Sequence, residues 1–76
     1  MKEFVEYLVK NLVDHPEEVH VREIESEHTM ILEIRLLKSE IGKIIGKKGV
    51  MIAAIRTLVQ NLACRNNMRV LLEIIE

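Results

Sequence analysis

The sequence predicts an α+β domain in which three helices cover one face of a three-stranded mixed sheet. Three observations carry that prediction. The chain opens on a helical stripe of apolar residues, three later stretches alternate with a period of two, and a glycine-containing helical crossover joins the second of these stretches to the third. The predicted element order is α-β-β-α-α-β.

Residues 2–14 place Phe4, Val5, Leu8, Val9, Leu12 and Val13 on one helical face, with Lys2, Glu3, Glu6, Lys10 and Asn11 opposite. His15-Pro16 predicts the end of that helix, because a residue before proline is pushed out of the α region. Residues 19–25, "VHVREIE", alternate and are rich in β-branched side chains, which predicts a strand. A short polar turn, "SEH" at 26–28, leads into "TMILEIRLL" at 29–37. There Met30, Leu32, Ile34 and Leu36 share one face and Ile31, Glu33, Arg35 and Leu37 the other, so this strand is apolar enough to be central. The brevity of the turn predicts an antiparallel hairpin.

Ser39 is the expected N-cap of a short helix over 40–45 that stops at Gly46. A longer helix is predicted over 49–65, burying Ile52, Ile55, Leu58, Val59 and Leu62, and Asn66-Asn67 suits a left-handed turn after it. The chain closes with "MRVLLEIIE", a third strand in which Val70, Leu72 and Ile74 alternate with Leu71, Glu73 and Ile75. A helical crossover places two strands parallel and adjacent, so the expected sheet order is 1-2-3. With the helices all on one side, Ile31, Leu71 and Ile75 are left on the open face.

Composition bounds the function. At 76 residues with 49% apolar content, the chain supports one small core. The single Cys64 excludes an internal disulfide and is expected to be a buried small hydrophobe. One cysteine with His15, His20 and His28 matches no zinc spacing, and no metal or other cofactor is expected. Neither a signal peptide nor a run of the roughly 20 apolar residues needed to span a bilayer is visible, which points to a cytoplasmic protein with no membrane partner. Net charge is −1 but unevenly spread. Residues 1–37 carry four basic side chains against nine acidic, and residues 38–76 carry seven basic against three acidic. That asymmetry suggests a polar partner for the second half or a contact between halves.

The densest signal is "IGKIIGKKG" at 41–49. It is not a mononucleotide loop: Gly42 and Gly46 are one residue too close, and Lys48 stands where a magnesium-binding hydroxyl belongs. The dinucleotide fingerprint fails as well, so no small-molecule substrate is expected. What remains is G-x-x-G, Gly46-Lys47-Lys48-Gly49, at a helix–helix corner.

In the setting of α-β-β-α-α-β, "IIGKKG" followed by "AIRTLV" (54–59) and a terminal "RVLLEIIE" resembles the type II K-homology (KH) fold over essentially the whole chain. It is most similar to the small single-domain bacterial KH proteins of the KhpA type. The resemblance implies a single KH domain over 1–76 that binds single-stranded RNA, without enzymatic activity, as an RNA chaperone or post-transcriptional regulator. It also implies a homodimer or a heterodimer with a second KH-containing RNA-binding protein. In such modules the glycine loop clamps the backbone of about four nucleotides. Gly46 and Gly49 would allow close approach, Lys47 and Lys48 would supply charge, and Ile45, Val50 and Ala53 would form an apolar floor for bases.

Lys43, beside the loop, is placed in the site as either a phosphate contact or a solvated side chain. Arg56 suits a salt bridge as well as an RNA contact, and Gly42 is read as a packing residue. The opposite wall is expected from the strand and turn before the short helix, where Glu23, Glu25 and Glu27 would oppose the lysines. A competing reading keeps the fold but makes the chain a protein–protein interaction module. It rests on the acidic first half, the open sheet face and Val50, where relatives often carry a basic residue.

Overall fold

A computed structural model describes residues 1–75. Its elements are α1 (Lys2–Lys10), β1 (His20–Glu25), β2 (Thr29–Arg35), α2 (Ile41–Ile45), α3 (Val50–Cys64) and β3 (Arg69–Ile75), with single 3-10 turns at Pro16–Glu18, Lys38–Glu40 and Lys47–Gly49. The sheet order is β1-β2-β3. β1 pairs antiparallel with β2, His20 opposite Arg35, and β2 pairs parallel with β3, Thr29 opposite Arg69. Both pairings match the sequence expectation. The final residue of the predicted third strand, Glu76, lies outside the described residues.

One core joins the helices to the sheet. Val5 and Val9 of α1, Ile44 of α2, and Ile52, Ile55, Val59 and Ala63 of α3 pack in one cluster with Val21, Leu32, Ile34, Val70 and Leu72. The strand residues in that list are the alternate ones facing the helices, as the period-two pattern requires. Ile24, Ile31 and Leu71 stand side by side in register on the other face, where Ile24 and Leu71 are exposed.

Several local expectations are corrected. α1 stops at Lys10, four residues before the predicted end, because Asn11 donates from its side chain to the Tyr7 carbonyl and the backbone N–H groups of Asp14 and His15 are drawn to Glu40. Ser39 caps nothing. The short helix begins one residue later than predicted, after Glu40, and Glu40 is buried. Leu58 is 43% exposed, and Ala63 takes a place in the core. Cys64 is exposed, since it sits one position past Ala63 and therefore on the adjoining helical face. At the far end of α3, Asn67 does adopt the left-handed conformation (φ 57°), while Met68 donates back to the Ala63 carbonyl.

Candidate nucleic-acid interface

The glycine corner is built by backbone geometry that only part of its sequence announces. Gly46 has φ 76° and ψ 178°, and Gly49 has φ 75° and ψ 14°. A β-carbon on Gly46 would lie 2.7 Å from the Met51 β-carbon and 3.0 Å from its backbone nitrogen, so the first turn of α3 packs directly on this glycine. Around Gly49 there is open space, and its requirement is the left-handed backbone alone. Lys48, between them, also has positive φ (55°), a strained setting for a long side chain. The strain turns the corner within a single 3-10 turn and leaves Lys47 and Lys48 exposed. Neither lysine pairs with an acidic group among the described residues.

A groove of about 630 Å³ lies between α3 and β3, lined by Arg56, Thr57, Gln60, Asn61 and residues 69–73. Helical spacing places Ala53, Arg56, Thr57 and Gln60 on one stripe of α3 leading away from Gly49. β3 is an edge strand, so half of its backbone groups face the groove rather than β2. Gln60 uses one of them, accepting from the Val70 N–H at 3.1 Å while its amide reaches the Met68 carbonyl at 3.4 Å. By the two-residue repeat of a strand, the N–H and C=O of Leu72 face the same free edge. A groove that sets Arg56 and Arg69 against one acidic lining residue, Glu73, with free donors and acceptors on one wall, can hold an anionic strand and pair with polar edges of planar groups.

Ile45, Val50 and Ala53 are all exposed around the corner, Val50 at 67%. The acidic opposing wall is not found where the sequence placed it. Glu23 and Glu25 belong to β1, the strand at the other edge of the sheet, with β2 between them and the groove. Only Glu27, in the β1–β2 turn, lies near the groove's far end, next to His28. The groove's second wall is β3, brought beside α3 by the parallel crossover.

Lys43 is exposed but held by acidic partners. Its ammonium pairs with Asp14 and lies 4.0 Å from Glu40. Glu40, 3% exposed, accepts from the Asp14 N–H at 2.8 Å, the His15 N–H at 3.1 Å and His15 Nδ1 at 3.0 Å. Burial pushes the Glu40 carboxyl up, but the His15 ring, the Asp14 N–H and the Lys43 charge together hold it below its ordinary value. The hydrogen bond to Glu40 raises His15, the bond from Lys43 lowers Asp14, and the bond to Asp14 raises Lys43. This cluster ties the α1–β1 connection to the start of α2, the helix that leads into the glycine corner. Nothing in the periodicity of the sequence singles out Glu40; its position just before a short helix was the only available signal.

Gly42 is not a packing residue. A β-carbon there would meet nothing within 4 Å. Gly42→Ala is expected to raise stability by about 0.5–1 kcal/mol, the ordinary gain from replacing an exposed helical glycine, and a thermal melt checks it.

Comparison with known proteins decides the family. Residues 2–74 match the model of the KhpA/KhpB KH domain. The chain belongs to that family. It is 58% identical to RNA-binding protein KhpA of Chlamydia pneumoniae over 100% of this chain and 97% of that one. It is 48% identical to RNA-binding protein KhpA of Clostridium perfringens, covering 99% of this chain and all of the relative. Similarity to RNA-binding protein KhpA of Aquifex aeolicus is 42%, over 100% of this chain and 96% of that protein. No solved structure gave a significant match. No helix among the described residues is long and apolar enough to cross a membrane.

Proposed function

We propose that this KH domain, one module spanning the chain, binds single-stranded RNA in the α3–β3 groove. Gly46, Lys47, Lys48 and Gly49 clamp the sugar-phosphate backbone, and Ile45, Val50 and Ala53 support the bases nearest the loop. The observation that carries this reading is the exposed Lys47–Lys48 pair, bound by no acidic group among the described residues, at the start of the helix whose later turns line a groove with Arg56 and Arg69. The names of the relatives, RNA-binding protein KhpA, support it. Lys43 acts here through Asp14 and Glu40, holding α2, rather than on phosphate.

One clamp neutralising about three or four phosphates gives a modest affinity and a salt slope of roughly −2 to −3 in log K against log salt. Pairing with a second module would raise the effective affinity, and the role that fits is that of an RNA chaperone or post-transcriptional regulator in the cytoplasm. The shallow apolar groove of about 250 Å³ between α1 and α3, lined by Leu8, Leu12, Met51, Ala54 and Leu58, is where a second copy or a second KH-containing protein would dock. No catalytic step and no cofactor enters this reading.

Lys47→Asp combined with Lys48→Asp tests it. Binding to a pool of single-stranded RNAs is expected to fall below detection while the circular dichroism spectrum stays that of the folded chain. Undiminished binding by the folded variant would favour the protein–protein module instead.

A further inference from the structure

Past Arg69 the groove does not end. Arg69 lines both the α3–β3 groove and a second compartment of about 300 Å³, whose other walls are His28, Cys64, Asn67 and Met68. This end compartment lies some 20 Å from Gly49 along α3, at 1.5 Å per helical residue. Its shape is held by backbone bonds. The Arg69 N–H donates to the His28 carbonyl at 2.8 Å, and the Met68 N–H donates to the Ala63 carbonyl at 3.2 Å, across the left-handed turn at Asn67. These bonds lock the β1–β2 turn against the α3–β3 turn, so the side chains of His28 and Arg69 flank a fixed hollow.

The chemistry of the hollow is that of a nucleotide site. An imidazole and a guanidinium offer flat surfaces for stacking on a base and donors for a phosphate. Arg65 and Arg69 are both exposed and pair with no acidic group among the described residues. Glu27 stands 4.0 Å from His28 Nε2 but is 91% exposed, where water screens it. The loop at the other end accounts for about four nucleotides of single-stranded RNA.

We propose that the compartment bounded by His28 and Arg69 is a second RNA subsite, which holds a nucleotide beyond those gripped at the glycine loop. The proposal rests on the RNA-groove reading and extends its footprint. The loop clamp sets where the strand enters, and the end compartment makes affinity depend on strand length.

The test is binding of oligoadenylates and oligouridylates of four and six nucleotides, followed by amide NMR. The hexamer is expected to bind about fivefold or more tightly than the tetramer, the range for one added stacked base. Amide shifts at His28, Asn67 and Arg69 should accompany the hexamer only. His28→Ala lies outside the main groove and is expected to remove most of the length-dependent gain while leaving tetramer binding as it was; Arg69→Gln, which keeps the backbone bond but changes a residue lining both compartments, is expected to weaken both lengths and to remove most of the gain. Equal binding of the two lengths, or a gain that survives both substitutions, overturns the subsite. Tetramer binding unaffected by the paired Lys47→Asp and Lys48→Asp changes overturns the clamp instead. A chain that binds neither length overturns the RNA-groove reading, and the subsite falls with it.

Discussion

Gly46→Ala is expected to cost about 2–4 kcal/mol, lowering the melting temperature by roughly 10–20 °C. Two separate penalties meet at this residue. Its φ of 76° with ψ of 178° is a conformation that side-chain-bearing residues rarely adopt. Its β-carbon would also lie 2.7 Å from the Met51 β-carbon and 3.0 Å from the Met51 nitrogen, and backbone in the first turn of a helix cannot yield as a flexible side-chain tip would. Gly49→Ala is the internal control. It keeps the left-handed penalty (φ 75°) but meets open space, so about 1 kcal/mol is expected. Equal melting temperatures for the two variants would show that the corner does not pack on α3 as described.

Glu40→Ala is the second large effect. The substitution leaves the N–H groups of Asp14 and His15 without their acceptor and removes the charge beside Lys43. Hydrogen bonds to a charged group are the strong kind, and a melting temperature about 10 °C lower is expected. Because the cluster orients α2, the loss should reach the Gly46–Gly49 corner as altered amide shifts there.

The same cluster sets a pH dependence whose sign follows from the shifts. Glu40 and Asp14 are held below their ordinary values of 4.5 and 3.8, so their contribution is present above those values and lost as pH falls through the folded ones. His15 is raised above 6.5, so its contribution is present below that value and fades as pH climbs through the folded one. Stability from the cluster should therefore be greatest between about pH 4.5 and 6.5. His15 is 55% exposed, which makes its alkaline part small. Thermal melts of the wild type and His15→Asn across pH 4 to 9 check this. A decline above pH 7 that persists in the variant would assign it to other groups.

Much of the architecture was legible because it rests on short-range rules. Alternation in "TMILEIRLL" and "MRVLLEIIE" marks strands wherever they pack, and a crossover of this length makes their pairing parallel. Errors came where a contact distant in sequence overrode a local preference. Glu40, 26 residues after Asp14, captured the connection after Lys10 and ended α1 early, and its burial displaced the capping role assigned to Ser39. Lys43 looked like a free cation beside a glycine loop until Asp14 was brought against it.

By itself the sequence settled the element order, the sheet, and the glycine corner with its two lysines, since each follows from residue type and spacing along a few turns of chain. The tertiary structure alone decided what stands opposite that corner. Whether the wall would be acidic depended on which strand lies beside α3, a consequence of strand order rather than of any local pattern. With β2 in the centre and β3 at the edge, Glu23 and Glu25 fall on the far strand, and the groove meets Arg56, Arg69, the single acidic Glu73 and the outer edge of β3 instead.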